Sequence, residues 1–366
     1  MAYKLASSYK SYTSDEIYYV DSARRLLRDL FHYNVNETAF SGKTDANYYN
    51  LEHPPLGKYI IGLAIVACGD RPLCWRVPGI VEATLIILAV SAVGRPSSVK
   101  GLLAGAVAAI AASADPILYR SASLAMLDIH LAFFLTLSML AASYGRFRLA
   151  AILAGLATSV KYSGVSALLA ILALVAIRPG DSLRYKLRSS AEAILLAFSS
   201  FTLVHLPLLA MFTPAQLVEE TLRALGWHTT SRPPGPPTST PMGWVFNVNP
   251  FYYTFQPGPV AAVTNTVLHL YGIATTILIA LLLASGRNLS ERVLAGPLNY
   301  VMVFAVYLLV MALGNKTLYS FYAVQLTPGL AGTLASSTLL SLGEVDERSP
   351  TSSTRDKQVP EPRTEP

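Results

Sequence analysis

Residues 124–177 read LAMLDIHLAFFLTLSMLAASYGRFRLAAILAGLATSVKYSGVSALLAILALVAI, three apolar runs broken only at GRFR and KYSG. A soluble helix keeps a polar face for water at helical spacing, and these runs have none. The rest of the chain has the same character, with 52% hydrophobic and 14% charged residues over 366 positions, too apolar for a water-dressed globule. Lipid is therefore the solvent for most of it, and an all-α, polytopic membrane fold is expected.

A span needs roughly 20 apolar residues to cross about 30 Å of hydrocarbon. Nine runs are candidates: 75–93, 101–118, 124–144, 149–160, 163–177, 191–212, 260–284, 294–313 and 319–342. The fourth and fifth are short and separated only by Lys161 and Tyr162, so one bent element is the alternative to two spans. If the first run enters from outside, the inside loops collect Arg95, Lys100, Arg146, Arg148, Arg178, Arg184, Lys186, Arg188, Arg287 and Arg292. Only Arg120, Lys161, Arg223, Arg232 and Lys316 are then scattered outside. Cytoplasmic loops are the ones enriched in Lys and Arg, so nine spans and this orientation are expected. The net charge of +6 is thus a matter of topology and does not point to nucleic acid.

Three regions follow. Residues 1–74 form an outward acidic loop and an interfacial helix, 75–342 the transmembrane domain with a second outward loop at 213–259, and 343–366 a disordered cytoplasmic tail of Ser, Thr, Pro and charge. The polar segment up to residue 50 lies outside without a span to carry it there. Either the run of about 13 residues from Leu56 to Cys68 crosses, or a helix precedes Met1; the second is expected, with 54–68 lying along the membrane surface. Cys68 and Cys74 match no zinc or haem spacing and read as two small apolar residues rather than a disulfide.

Four outward clusters carry possible chemistry. Asp15 and Glu16 form an acidic pair: a carboxylate at the surface can take a proton from a hydroxyl, and a neighbouring one can raise its pKa or help hold a cation. The structural alternative is a helix start capped by Ser14. His53 and Lys58, in Glu52-His-Pro-Pro-Leu-Gly-Lys58, and Arg76 at the head of the first span suit a lipid phosphate, although Lys58 could equally snorkel to the headgroups. Asp128 sits just inside an apolar span, where an unpaired acid is costly, with Arg120 or a bound cation as candidate partner. Lys161, and His228 with Ser231, Arg232 and Trp244 in the long loop, complete the outward polar set.

The order Asp-Glu, His-Pro-Pro-Leu-Gly-Lys, Arg-Val-Pro, Leu-Asp and Lys-Tyr-Ser-Gly resembles the dolichyl-phosphate-mannose:protein O-mannosyltransferases, glycosyltransferase family 39, of GT-C fold. The likeness runs from Asp15 to Pro328, with Tyr162 where the family usually has Trp and with no soluble sugar-binding insert, the pattern of a bacterial or archaeal member. It implies a multi-pass plasma-membrane enzyme. That enzyme moves mannose or another hexose, with inversion, from a polyprenyl or dolichyl phosphate to Ser or Thr hydroxyls of proteins on the extracytoplasmic face. Asp15 would be the general base supported by Glu16, and His53, Lys58 and Arg76 would hold the donor phosphate. Asp128, Arg120, Lys161, His228, Ser231 and Trp244 would line the cavity. No nucleotide site is required and no Gly-rich phosphate loop occurs; a divalent cation is the one cofactor left open, and the family's dimers make a second copy a candidate partner. Three rivals stand beside this reading. One is a GT-C transferase with a lipid or glycan acceptor, another a transporter using Asp128 and Lys161 as an ion path, and the third an inactive scaffold or obligate partner.

Overall fold

The computed structural model describes residues 1–36, 38–256 and 258–343, so the expected tail lies outside the described residues apart from Gly343. Three helices precede the first long one: α1 (Ala2–Ser8), α2 (Glu16–Arg25), which runs on into one π turn, and α3 (Leu56–Cys68). The bundle follows as α4 (Pro72–Val93), α5 (Val99–Ala114), α6 (Pro116–Ala122), α7 (Leu127–Ser143), α8 (Phe147–Thr158), α9 (Val165–Ile177) and α10 (Leu183–His205). Next come α11 (Pro214–Thr229), the short α12 (Pro241–Val245), the antiparallel strands β1 (Tyr252–Thr254) and β2 (Val260–Ala261), and finally α13 (Thr266–Ala284), α14 (Glu291–Ala312) and α15 (Thr327–Ser341).

Each of the nine apolar runs finds a helix, in order, but their lengths differ from the expectation. By length and composition four helices can cross a membrane: α4, α10 extended to Ala210, α13 and α14. The pair α5 and α6 makes a fifth if its 63° bend at Asp115-Pro116 is counted within one span. Proline cannot continue the hydrogen-bond ladder, and the run 101–118 breaks there for that reason. The fourth and fifth runs are two helices, α8 of 12 residues and α9 of 13, parted by a turn at 159–164. At 1.5 Å per residue, α8 is about 18 Å long, short of the hydrocarbon thickness. α10 begins eight residues earlier than expected because Ser182 caps it through a bond from Tyr185 N, drawing Arg184, Lys186 and Arg188 into the helix.

Helix pairs approach closely where side chains are small, the usual device for packing without a hydrophobic driving force. Gly296 of α14 faces Gly332 of α15 so tightly that a Cβ on Gly296 would lie 2.3 Å from the Gly332 carbonyl carbon. α7 is buried along most of its length, the central post of the bundle.

The N-terminal layer is held by charge. Arg24 of α2 donates to Asp21 at 2.8 Å and, with both of its other nitrogens, to Asp70 at 2.7 Å; Trp75 Nε1 bonds the same Asp70 at 2.8 Å. Asp21 in turn accepts from the backbone of Lys43 and Thr44, both at 2.8 Å, folding 38–50 back over α2. Cys68 and Cys74 form a disulfide across the α3–α4 turn, which corrects their reading as two free apolar residues: a separation of six with a turn between them brings the pair together.

Candidate active site

Asp15 occupies the N-cap position of α2, yet its side chain makes no capping bond. The turn is set by Ser14 instead, which adopts φ +56°, a left-handed conformation uncommon for a non-glycine residue. The Asp15 backbone carbonyl accepts from Tyr18 N and Tyr19 N, so the helix is started by the main chain and the carboxylate stays free of it. It lies at the wall of a cavity of about 700 Å³, with Tyr19, Glu52, His53, Trp227, Arg232 and Tyr322 among its neighbours there. Burial pushes the Asp15 carboxyl up to about 6, with Lys161 pulling down and Asp128 pushing up.

Glu16 points the other way. It is fully buried; Oε1 accepts from Arg76 Nε (2.7 Å) and Ala125 N (2.7 Å), and Oε2 from Arg76 Nη2 (2.6 Å) and Thr13 N (2.8 Å). Arg76 spends its remaining N–H groups on Ala6 O (3.0 Å), Tyr9 O (2.7 Å) and Ser11 O (2.8 Å). Its five donors are thus engaged by protein, none is left for a phosphate, and neither residue reaches the cavity. The expected pairing of Asp15 with Glu16, and of Arg76 with the donor, gives way to a clamp joining the N-terminal segment, α4 and the loop before α7.

Lys58 is a second such correction. Its ammonium is buried and donates to Tyr49 O (3.2 Å), Asn50 O (2.5 Å) and His53 O (2.8 Å), fixing the loop that carries Glu52 and His53 into the cavity wall. Burial lowers Lys58 to about 7, with Glu52 opposing. His53 does line the cavity, 5.0 Å from His228 between ring centroids. His228 Nε2 donates to Glu52 O at 2.8 Å. Burial holds His53 well below its ordinary value and brings His228 down to about 4, so both rings are neutral hydrogen-bonding groups, not cations, at neutral pH.

Asp128 is 1% exposed and paired, but with Lys161 (3.0 and 3.2 Å), not Arg120. Gln325 Nε2 adds a third bond at 2.8 Å and reaches Tyr307 Oη at 2.7 Å. Lys161 also lies 4.3 Å from the centre of the Tyr322 ring, which is itself a cavity wall. Arg120 bonds Ala261 O on β2 (2.7 Å), Ser231 bridges Gly314 O and Lys316 N, and Trp244 is buried against Tyr307 and Tyr322. These three do not line the cavity.

The sequence set Arg232 beside His228 and Ser231 in the long outward loop and Tyr322 in a stretch carrying the family likeness, with no chemical role given to either. Arg232 stacks over Trp227 (5.0 Å) and Tyr319 (5.8 Å), and its Nε has no hydrogen-bond partner, leaving a stacked cation on the cavity wall. The available signal was its place between His228 and the Pro-rich run, on the same face as Asp15. Helix α11, started by a Thr213–Gln216 capping box, gives Glu220, Arg223 and Trp227 to the cavity. Its Val218 and Leu222 join Phe198, Phe201 and Leu209 in an adjoining apolar groove of about 310 Å³. Among the described residues no group of three or more His, Cys, Asp or Glu side chains converges as metal ligands would.

No family model matches the chain. Residues of this chain are 34% identical over 122 positions, a third of the chain, to a polyprenol-phosphate-mannose–protein mannosyltransferase of Corynebacterium glutamicum, and 34% over 82 positions to one of Mycolicibacterium smegmatis. The matched segments span 22% and 16% of those relatives' lengths. In fold the chain is similar to ArnT from Cupriavidus metallidurans, in the apo state (TM-score 0.56, 16% identity) and bound to undecaprenyl phosphate (TM-score 0.57, 17% identity). The match covers 94% of this chain and 59% or 60% of ArnT.

Proposed function

We propose, from the premise that this chain is a GT-C-type membrane protein of the mannosyltransferase kind, that it transfers mannose or another hexose from a polyprenyl phosphate to an acceptor hydroxyl, foremost Ser or Thr of a protein. The observation that carries the reading is the uncommitted Asp15 carboxylate, raised to about 6, facing a 700 Å³ cavity that also holds the stacked Arg232 cation. A base so poised is half-ionised near pH 6 and mostly so at neutral pH, matched to taking a proton from a hydroxyl as the hydroxyl attacks the sugar carbon. The leaving group is a phosphate whose charge grows as the glycosidic bond breaks, and the Arg232 guanidinium on the cavity wall suits it. The apolar groove on the other side of α11 offers the isoprenoid chain a path beside the membrane.

The disulfide at the α3–α4 turn, in the same N-terminal layer as Asp15, fits an oxidising, extracytoplasmic face for the cavity. Lys161, Gln325 and Asp128 form a buried network whose two charges act on Asp15. That pairing speaks against an ion path through Asp128, because a transported ion would need one of those partners released.

A second reading keeps the donor and changes the acceptor to a lipid hydroxyl, favoured by the apolar groove lying alongside the cavity. One assay separates them. Membranes holding the protein are given radiolabelled polyprenyl-phosphate-mannose with either a Ser/Thr-rich peptide or a lipid extract. Label in the peptide is expected; label confined to the lipid fraction would move the assignment to the second reading, and no label in either would remove both.

A further inference from the structure

At the far end of α8 lies a second cavity that plays no part in the chemistry above. α8 begins at Phe147 and ends three residues before Lys161, so its 12 residues separate the two sites by about 18 Å along the bundle. The cavity, about 540 Å³, sits between the first turn of α8 and the first three turns of α10, and is lined by Arg146, Arg148, Tyr185, Arg188, Ser189 and Glu192 among others. Three guanidinium groups thus meet one carboxylate. Arg148 takes that carboxylate, Glu192, at 2.7 Å, and Arg146 and Arg188 have no acid within ion-pair distance among the described residues. The first-turn N–H groups of α8, with no side chain capping them at Arg146, add positive potential at the same spot.

The surroundings specify the rest of the ligand. Leading away from the basic cavity along the same two helices, Leu149 (44% exposed) and Ile152 (38%) on α8 and Ile194 (49%) and Leu195 (64%) on α10 form an uncovered apolar strip. A soluble phosphate compound would use the arginines and leave the strip bare. An amphiphile with an anionic head and acyl chains uses both.

We propose that this cavity binds the headgroup of an anionic phospholipid, with its acyl chains along the α8–α10 strip. The test is a titration of the detergent-purified, delipidated protein with phosphatidylglycerol or phosphatidylcholine, bound lipid being read by native mass spectrometry. Wild type is expected to prefer phosphatidylglycerol at least about tenfold, and the triple variant Arg146→Gln/Arg148→Gln/Arg188→Gln to bind it about 10- to 100-fold more weakly. The corresponding triple Lys variant, which keeps the charge, is expected to retain the preference. Equal binding of the two lipids by wild type overturns the proposal without needing any variant to fold. Undiminished phosphatidylglycerol binding by a folded triple Gln variant overturns the location. Displacement of the lipid by inorganic phosphate at equal concentration would show a small-anion site and overturn the lipid assignment. The readout is lipid on pure protein, so its failure leaves the transferase reading intact, and loss of transfer leaves this one intact.

Discussion

Asp15→Asn is expected to bind the polyprenyl-phosphate donor as wild type does while turnover falls by about 10² to 10⁴. Asparagine keeps the size and most of the polarity of the side chain and removes the proton acceptor. The substitution is well placed for a clean result, because the carboxylate is not spent on capping α2 and accepts no hydrogen bond from the described residues. Helix α2 is started by the Asp15 carbonyl, which the variant retains. A loss of turnover in Asp15→Asn therefore reads as lost chemistry, provided that folded yield is unchanged. Near wild-type turnover would take Asp15 out of the base role, and a matching loss of donor affinity would make it a binding residue instead.

Arg76→Ala is expected to cost folded protein rather than donor affinity. It leaves Glu16 as a buried, unpaired charge and strips bonds from three backbone carbonyls, of Ala6, Tyr9 and Ser11. Breaking a buried, hydrogen-bonded pair from one side costs about 3 to 5 kcal/mol, a large share of the 5 to 15 kcal/mol that typically separates folded from unfolded protein. The measurement is the yield of monodisperse protein in mild detergent and its thermal midpoint, both expected to drop sharply. Whatever fraction folds should bind donor normally, because the guanidinium does not reach the cavity. A well-folded Arg76→Ala protein with weakened donor binding would restore the phosphate role that its place in Arg-Val-Pro suggested.

That exchange of roles shows where the sequence was legible. Apolar run length reported the helices, and the two prolines before Leu56 reported the start of α3, because both signals are local. Of the outward motifs, Asp15 and His53 line the cavity, and His228 packs behind His53 without lining it. Partner choice was not legible. Glu16 meets Arg76 across 60 positions and Asp128 meets Lys161 across 33, and no periodicity in either segment announces which cation an acid will find. Charge alone therefore misplaced Arg76, Lys58 and Arg120, each of which ends on backbone carbonyls or a buried acid. Arg232 went without a chemical role for the opposite reason: besides the nearby Trp227 it lies over Tyr319 from a distant segment, and that contact is a tertiary fact.

A base at Asp15, its carboxyl raised by burial, makes the reaction pH-dependent in one direction. Protonation removes the active form, so with a carboxyl at about 6 the transfer rate should be level above pH 7 and fall as pH drops, to about a tenth of the plateau at pH 5. The direct measurement is the single-turnover rate of sugar transfer from saturating radiolabelled donor between pH 4.5 and 8, in wild type and Asp15→Asn side by side. Wild type is expected to show an inflection near pH 6 and Asp15→Asn a low, flat profile. An inflection that persists in Asp15→Asn, or a wild-type profile level down to pH 4.5, would contradict it.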